Sequence, residues 1–283
     1  MTTQMQESEK LNFTDKRPEH TSCNFLHIKM NEEHEKQFAG IAEILLNNYI
    51  LHTPKTKYRL VEIEFYYYNQ VPINLDDEDF PLYGPPKYED FLFGGISQKD
   101  YFTHRHYRQM KNMYWYLHSN GEHIKQGKRK GLDLTIGNEY EFSYGGILLR
   151  GIQNMAESND YIYGPSTVVE RLIQDLDRNN VNEITDVMDI PAGGKGNKIF
   201  IEEHKQEKEI VYSCFRHGLK IKENKYPEET EAQKMYIDKE YRFFIYPTKR
   251  HSDKEKIVNS WISSSKYPKE SILRIFGRKG WKE

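Results

Sequence analysis

The alternation of side chains from Tyr58 to Tyr68 constrains the fold more than any other feature of the chain. The residues of one parity are apolar or aromatic: Val61, Ile63, Phe65 and Tyr67. The residues of the other parity are mixed: Leu60, Glu62, Glu64, Tyr66 and Tyr68. Because successive side chains of a β-strand point to opposite faces, the first set is predicted to face the core. The second set is predicted to place two carboxylates and two tyrosines on a polar face or in a cleft.

Other periodic segments complete the predicted fold. Apolar residues at three- and four-residue steps predict helices near residues 35–46 and 166–176. Runs of β-branched and aromatic residues predict further strands near 49–51, 113–117, 132–136, 145–152, 199–201, 210–212 and 241–246. Strands dominate the middle of the sequence and helices flank them. The predicted fold class is therefore α+β, a single domain with a mostly antiparallel β-sheet flanked by helices.

The predicted domain organisation has three parts. Residues 1–33 are polar and aperiodic, which indicates a flexible N-terminal arm. Residues 34–250 form the main domain, interrupted at 69–98 by a long insertion loop with the acidic run 76–79. Residues 251–283 form a charged C-terminal extension with some helical character.

Charge and composition limit the classes of function. Lys and Arg number 41 against 43 Asp and Glu, a net charge of -2, so the chain as a whole is not basic. Binding to DNA would require basic residues gathered on one face. Such a group occurs around a predicted hairpin and a preceding segment, and comprises Lys125, Lys128, Arg129, Lys130 and Arg105. On its own, a Lys-rich turn is usually a solvated loop, so the cluster alone does not establish contact with phosphates.

Composition also bears on the cellular setting. No apolar run approaches the roughly 18 residues of a membrane span. The two cysteines, Cys23 and Cys214, form neither a disulfide framework nor a metal-spaced cluster, which favours an intracellular location. That location would be the cytoplasm or nucleoid, or the nucleus of a eukaryote. The eleven histidines show no metal-binding spacing, so neither a metal nor a cofactor is predicted.

A group of polar and aromatic residues on neighbouring predicted strands forms the candidate pocket. They are Glu62, Glu64, Tyr66, His104, Tyr116, Asp133 and Arg150. Taken singly, charged residues on strands are usually solvated and tyrosines usually pack. Together they offer carboxylates, stacking rings, an imidazole and a guanidinium. This combination suits a planar, partly cationic ligand held near an activated water.

Six short segments follow one another in the main domain. They are Arg59-Leu-Val-Glu-Ile-Glu-Phe-Tyr66, Asp100-Tyr-Phe-Thr-His104, Tyr114-Trp-Tyr116, Gly146-Ile-Leu-Leu-Arg150-Gly-Ile152, Phe215-Arg-His-Gly218-Leu219 and Tyr241-Arg-Phe-Phe-Ile245. In this order they resemble the motifs RIVETEAY, D-x-x-x-H, YVY, AVLLRAL, PRIGI and WRFYV of the alkyladenine (3-methyladenine) DNA glycosylases. The chain thus resembles a divergent member of that family, with its curved sheet.

The resemblance implies a monofunctional glycosylase that flips a damaged or modified base out of DNA and hydrolyses its N-glycosidic bond. Glu64 falls on the family's catalytic carboxylate, which activates the attacking water, and Arg150 on the arginine beside that water. Tyr66, His104 and Tyr116 fall on residues that sandwich the flipped base. The implied partner is DNA containing modified bases, and the implied state is a monomer without a membrane association.

One departure from the family concerns the substrate base. Asp133 stands where the family usually has Asn, and an ionised Asp only accepts hydrogen bonds. It would welcome an exocyclic amine of cytosine, adenine or guanine, so the base need not be an alkylated purine. Two alternatives stay open: a non-catalytic module that binds modified DNA, and an N-glycosidase acting on RNA or nucleotides.

Overall fold

A computed structural model describes residues 24–29, 32–69, 98–119, 130–179, 181–222, 227–249 and 254–276. Three predicted phosphate contacts, Lys125, Lys128 and Arg129, lie outside the described residues. Most of the N-terminal arm, residues 70–97 of the insertion with its acidic run, and the last seven residues of the C-terminal extension also lie outside them.

The described residues form five α-helices and ten β-strands. The helices are α1 (His34–Asn48), α2 (Pro165–Asp175), α3 (Pro227–Ile237), α4 (Lys254–Ser263) and α5 (Lys269–Phe276). The first five strands are β1 (Tyr49–His52), β2 (Lys57–Asn69), β3 (Gln98–Lys99), β4 (Asn112–Ser119) and β5 (Lys130–Ile136). The other five are β6 (Ser143–Asn154), β7 (Tyr161–Tyr163), β8 (Phe200–Glu203), β9 (Tyr212–Cys214) and β10 (Arg242–Phe244). Short 3-10 helices occupy Asn24–Leu26, Tyr107–Met110 and Val181–Val187.

All the strands belong to one antiparallel sheet, which curls into a half-barrel. The main path runs β4-β5-β6-β2-β1-β8, with β7 on β6, β3 on β2, and β10 between β2 and β9. The predicted fold class, α+β with a curved and mostly antiparallel sheet flanked by helices, is confirmed.

Strand β2 is the centre of this sheet. One edge pairs with β6 from Tyr58 to Asn69. The other edge pairs in turn with β1, β10 and β3. Asn69 pairs with Gln98, so the two ends of the predicted insertion loop belong to strands, and the connection itself spans residues 70–97. Because β2 has neighbours along both edges, it is an interior strand of the sheet.

The apolar face of β2 packs as the alternation predicts. The ring of Phe65 stacks on that of Phe38 in α1, with centroids 4.7 Å apart. The ring of Tyr241 meets Phe38 edge-on, with centroids 4.9 Å apart. Val61 and Ile63 are also fully buried in this main core. Helix α1 therefore covers the face that the sequence assigned to the core.

The opposite face of β2 is covered as well. Glu62 and Glu64 retain 2% and 0% of their accessible surface, and Tyr68 retains 6%. The ordinary interpretation of such charged residues, a solvated strand face, is therefore wrong for this strand. A carboxylate this deep must be paired or hydrogen-bonded, since burying an isolated charge is very costly.

Both terminal regions contribute to the packing. Leu26 and Ile28, from the segment assigned to the N-terminal arm, are buried in the main core. Helices α4 and α5 bury Trp261 and Ile272 in a second core against Tyr212 of β9. The described part of the C-terminal extension is thus a packed helical pair.

Candidate active site

The carboxylate of Glu64 lies at the centre of the polar face and is held on both oxygens. Its Oε1 accepts a hydrogen bond from the backbone N–H of His217 at 2.7 Å. Its Oε2 accepts from the Tyr66 hydroxyl at 2.9 Å and from Arg150 Nη1 at 3.3 Å. Three donors from three separate segments therefore fix one carboxylate inside the domain.

Arg150 connects the two carboxylates of β2. Its Nε donates to Glu62 Oε1 at 2.9 Å, while Nη1 reaches Glu64. Arg242 of β10 donates to the same oxygen of Glu62 through its own Nε at 2.9 Å. Burial alone would lower the pKa of Arg150, but the charges of Glu64 and Glu62 raise it above its usual value. Two guanidinium groups thus neutralise two carboxylates in a buried network.

The pairing of β2 with β6 is irregular beside Arg150. Leu60 pairs with Ile152, Glu62 with Gly151 and Ile63 with Leu149. The two register shifts cancel, so the pairing is the same on both sides of the irregularity. The guanidinium that reaches the two carboxylates thus comes from the position where the regular ladder is interrupted.

Tyr66 is the half-buried member of the polar face. The Arg216 guanidinium carbon lies 4.7 Å from the centroid of its ring. Arg216 is itself fixed by Asp100, with Nη1–Oδ2 and Nη2–Oδ1 distances of 2.5 and 3.2 Å. Burial and then the charge of Glu64 raise the pKa of Tyr66 well above its usual value, so its hydroxyl remains a donor. Glu64 thus holds the hydroxyl of Tyr66, and Arg216 covers one face of its ring.

The strand register brings three of the predicted pocket residues, Glu64, Asp133 and Tyr116, into one row. Tyr116 pairs with Asp133, Asp133 with Leu148, and Leu148 with Glu64. Directly paired residues of antiparallel strands project to the same face. Because neighbouring strands lie roughly 4.8 Å apart, Asp133 on β5 is about 10 Å from Glu64 on β2, with β6 between them. The sheet therefore assembles residues that are far apart in sequence.

Gly146 opens the space between these strands. It pairs with Tyr66 on one side and Thr135 on the other. A Cβ added at this position would lie 2.7 Å from Asp133 Oδ2. The carboxylate of Asp133 therefore occupies the volume that the Cβ of any residue other than glycine at position 146 would fill. This volume lies on the same side of the sheet as Tyr66.

Asp133 is 3% exposed and both of its oxygens have partners. His118 Nε2 lies 3.1 Å from Oδ1, and Gln109 Nε2 donates to Oδ2 at 3.3 Å. An amine of the substrate bound to Asp133, as the sequence predicts, would have to share an oxygen with one of these groups.

His104 and Tyr116 lie together at the end of the row. Nδ1 of His104 is 3.3 Å from the Tyr116 hydroxyl, and the two rings are nearly perpendicular. His104 is exposed, whereas Tyr116 is buried to 9% exposure. The ring of His106 stacks on Tyr116 with centroids 5.1 Å apart, so one face of this tyrosine is occupied by protein.

The two described residues of the predicted phosphate contacts already have partners within the protein. The guanidinium carbon of Arg105 lies 5.1 Å from the Tyr68 ring centroid and 4.9 Å from that of Tyr101. Lys130 Nζ donates to Glu170 at 2.9 Å. A phosphate would compete with these contacts. Both kinds of contact are weak, because a cation–π contact at an exposed site contributes about 0.5–1 kcal/mol and an ion pair near the surface about 0–1 kcal/mol.

Sequence reasoning missed several residues of this site. The N–H of His217, the Arg216 stacking on Tyr66 and the second guanidinium on Glu62, from Arg242, were assigned no role. Arg216 and His217 lie in the quoted segment Phe215–Leu219, and Arg242 lies in Tyr241–Ile245. The order of these motifs was thus the available signal. Nothing in a strand or loop pattern indicates which distant carboxylate an arginine reaches.

Within the described ranges, His, Cys, Asp and Glu side chains form no group of three or more arranged to hold a metal ion. None of the helices in those ranges combines the length and the hydropathy that crossing a membrane requires.

Comparison with known proteins adds a distant relative. No family model matches the chain. An uncharacterized protein of Acanthamoeba polyphaga mimivirus is 26% identical over 201 residues, which cover 66% of this chain and 81% of that protein. The description of that relative names no activity.

Proposed function

We propose that the protein is a monofunctional DNA glycosylase, which hydrolyses the N-glycosidic bond of a damaged or modified nucleotide flipped out of DNA. The observation that carries the proposal is the immobilised carboxylate of Glu64, on the same sheet face as Tyr66, Asp133 and Tyr116. The ordered motifs that resemble the alkyladenine DNA glycosylases support the same assignment.

Glu64 has the hydrogen-bonding capacity that a general base needs. A carboxylate oxygen can accept two hydrogen bonds, and in the described part of the chain Oε1 accepts one, from His217. In the proposed reaction the attacking water would use the remaining lone pair of Oε1. Arg150 and the His217 N–H hold the carboxylate in a fixed orientation. Such preorganisation places the base without reorganisation during the reaction.

The proposed reaction has one bond-making and one bond-breaking event. Water attacks C1′ of the flipped nucleotide and loses a proton to Glu64. The C1′–N bond breaks, and its electron pair leaves with the base. The sugar acquires positive charge in the transition state, which the Glu64 carboxylate stabilises. The products are an abasic site and the free base.

Aromatic side chains would hold the flipped base. Tyr66 is already oriented by Glu64 and Arg216, so stacking on its exposed face costs little side-chain entropy. His104 and Tyr116 present an imidazole and a phenol farther along the same row. Stacking contributes roughly 1–3 kcal/mol per base–aromatic contact, which is comparable with the few kcal/mol that base flipping requires.

A second candidate function, a non-catalytic module that binds modified DNA, is favoured by one observation. The Glu64 side chain has 0% exposure and three donors, as expected also of a purely structural carboxylate. In that case the pocket would bind a modified base without releasing it. The two functions differ in whether abasic sites are formed.

The test is incubation of the full chain with a panel of DNA duplexes. Each duplex carries one uncharged altered base (hypoxanthine, xanthine or uracil) or one cationic alkylated base (3-methyladenine or 7-methylguanine), and abasic sites are detected by alkaline cleavage. Base release by the wild type, abolished in Glu64→Gln with DNA binding retained, supports the glycosylase. Binding without release in the wild type supports the second candidate. Release that survives Glu64→Gln contradicts the role of Glu64.

A matched control is Glu202→Gln. Glu202 is also a carboxylate on a strand and pairs with a titratable side chain, His52. It lies on β8, away from the row of Tyr116, Asp133 and Glu64. Its replacement is expected to leave base release unchanged. A loss in both variants would indicate a general effect on folding.

A further inference from the structure

A second ionisable pair lies on the sheet face of Glu64, on strands β4 and β5. The Nε2 of His118 is 3.1 Å from Asp133 Oδ1, and the side chains are 23% and 4% exposed. His118 is two residues from Tyr116 on β4, so both project to the same face. The edge of its ring faces His104, with centroids 4.7 Å apart. The pair therefore borders the rings assigned to the flipped base.

Glycine makes this pair possible. His118 pairs with Gly131 across β4 and β5. A Cβ at Gly131 would lie 2.4 Å from His118 Nε2, so the imidazole lies across the bare backbone to reach Asp133. Gly146 provides the matching space for the Asp133 carboxylate, as described above. Two positions without side chains thus accommodate one imidazole–carboxylate contact.

The hydrogen bond to Asp133 determines which ring nitrogen of His118 can pass a proton to a ligand. With Nε2–H donated to Asp133, a neutral His118 carries its lone pair on Nδ1, and a protonated one carries a second N–H there. In the described part of the chain, Nε2 is the ring nitrogen of His118 that has a hydrogen-bonding partner. Nδ1 is then the position from which a proton can be passed to a ligand while Asp133 stabilises the cation.

We propose that His118, oriented by Asp133, donates a proton to the departing base, and that the substrates are uncharged bases. This assignment rests on the glycosylase activity proposed above. A cationic alkylated base leaves as a neutral molecule and needs no proton, whereas an uncharged base would leave as an anion. Proton donation removes that difficulty and is worth roughly 10²–10⁴-fold in rate.

The protons balance in this scheme. The attacking water gives one proton to Glu64 as the C1′–O bond forms. The His118 Nδ1–H gives one proton to a ring nitrogen or carbonyl oxygen of the base as the C1′–N bond breaks. Solvent afterwards returns a proton to His118 and removes one from Glu64. The net reaction is the addition of one water across the glycosidic bond.

The surroundings of His118 bear on its protonation. The titratable groups that face it are Asp133 from β5, Tyr116 from its own strand and His104 from the preceding loop, beyond which lie His106 and Lys222. Burial lowers the pKa of His118, but the charge of Asp133 and the hydrogen bond to it raise the pKa above its usual value. Burial and the proximity of His118 lower the pKa of His104. Of these two neighbouring imidazoles, His118 is the one whose pKa its surroundings raise.

The experiment compares single-turnover release of hypoxanthine and 7-methylguanine from duplexes of the same sequence. Hypoxanthine release by the wild type is expected to fall as the pH rises through the ionisation of His118. His118→Gln is expected to reduce hypoxanthine release about 100-fold or more and to remove that pH dependence, with a much smaller effect on 7-methylguanine. His52→Gln, which alters a histidine paired to Glu202 on another part of the sheet, serves as the matched control.

Equal losses for both bases in His118→Gln, or release of the cationic base alone by the wild type, would overturn the assignment and leave the glycosylase proposal intact. Release of no base from the whole panel would overturn both. If His118→Gln does not fold, Asp133→Asn provides the second route. Loss of the counter-charge lowers the pKa of His118, so hypoxanthine release should then decline at a lower pH than in the wild type. An unchanged profile would contradict the role of the pair.

Discussion

The hydroxyl of Tyr66 donates a hydrogen bond to Glu64 Oε2, 2.9 Å away and two residues earlier on the same strand. This contact joins the residue proposed to activate water to a residue proposed to bind the base. The ring of Tyr66 is in turn covered by Arg216. Substitutions of Tyr66 and Arg216 should therefore distinguish effects on the chemical step, on DNA binding and on the stability of the fold.

Replacing Tyr66 by Phe should slow base release without weakening DNA binding. The variant keeps the ring but removes one of the three donors that fix Glu64. A hydrogen bond to a charged group contributes about 1.5–3 kcal/mol, so the single-turnover rate is expected to fall at least about tenfold. The measurement is the rate of abasic-site formation at saturating protein. An unchanged rate would contradict a role of the hydroxyl in positioning.

Tyr66→Leu supplies the contrasting variant. It removes both the hydroxyl and the aromatic surface, so binding to duplexes with an altered base should also weaken, by about 1–3 kcal/mol. Fluorescence anisotropy with altered and unaltered duplexes would measure this change. Equal weakening for both duplexes would show that Tyr66 does not contact the altered base.

Arg216→Met should destabilise the fold strongly. Both Arg216 and Asp100 have fully buried side chains, and the variant leaves Asp100 without its counter-charge. Breaking a buried pair in this way costs about 3–5 kcal/mol in the free energy of unfolding. Adding Asp100→Asn should recover part of the loss, because it removes the unpaired charge.

Urea denaturation of the two single variants and the double variant gives the coupling energy. The exposed pair Lys234–Glu231 on α3 provides the comparison, and Lys234→Met should change the free energy of unfolding by less than about 1 kcal/mol. Additive effects at Arg216 and Asp100 would show that the two charges do not depend on one another.

Two Gly→Ala substitutions should have opposite effects. Gly146→Ala places a methyl group 2.7 Å from Asp133 Oδ2 and should destabilise the protein by about 1–3 kcal/mol. Gly40→Ala lies on the exposed side of α1, where an added Cβ meets nothing within 4 Å. Its stability should rise by about 0.4–1 kcal/mol. Thermal unfolding of both variants measures the difference, and a stabilising Gly146→Ala would contradict the close approach of Asp133.

His34 should make stability depend on pH. Burial lowers the pKa of this histidine to about 4, from an ordinary value near 6.5 in the unfolded chain. Between these values the unfolded state binds the proton and the folded state does not. Stability is therefore complete above about pH 6.5 and falls by about 1.4 kcal/mol per unit as the pH decreases toward 4.

The measurement is the free energy of unfolding from urea titrations between pH 4 and pH 7. His34→Phe keeps an aromatic ring near Phe38 and Tyr67 but cannot bind a proton, so its slope should be smaller than that of the wild type. Parallel slopes in the two proteins would assign the pH dependence to other groups.

Local sequence patterns predicted the strands and the direction of their side chains better than they predicted contacts between distant side chains. The alternation along β2 correctly assigned Phe65 to the core and Glu64 to the other face. It could not show that Glu62 and Glu64 are buried. Arg150, which contacts both, follows Glu62 by 88 residues, and Arg242, which contacts Glu62, follows it by 180. Their pairing depends on which strands become neighbours.

Two local departures also have physical causes. The strand predicted for residues 241–246 is limited to Arg242–Phe244, and Tyr246 adopts a positive φ of 57° that ends extended structure. Helix α3, from Pro227 to Ile237, was missed because its first half is polar and its apolar residues are confined to the second half, which is too short to show a helical period. Its place in the fold comes from Tyr236, which is buried, and Gln233, which is also buried, rather than from a continuous apolar stripe.

The pairing of β2 with β10 has a consequence for synthesis of the chain. Arg242 emerges from the ribosome 180 residues after Glu62, about 9–36 s later at ordinary rates of translation. During that interval the nascent sheet lacks one of the two cations on which the buried Glu62 depends. Completion of the sheet around Glu62 is therefore expected to be a late, post-β10 event, and truncated chains that end before Arg242 should be substrates for chaperones and proteases.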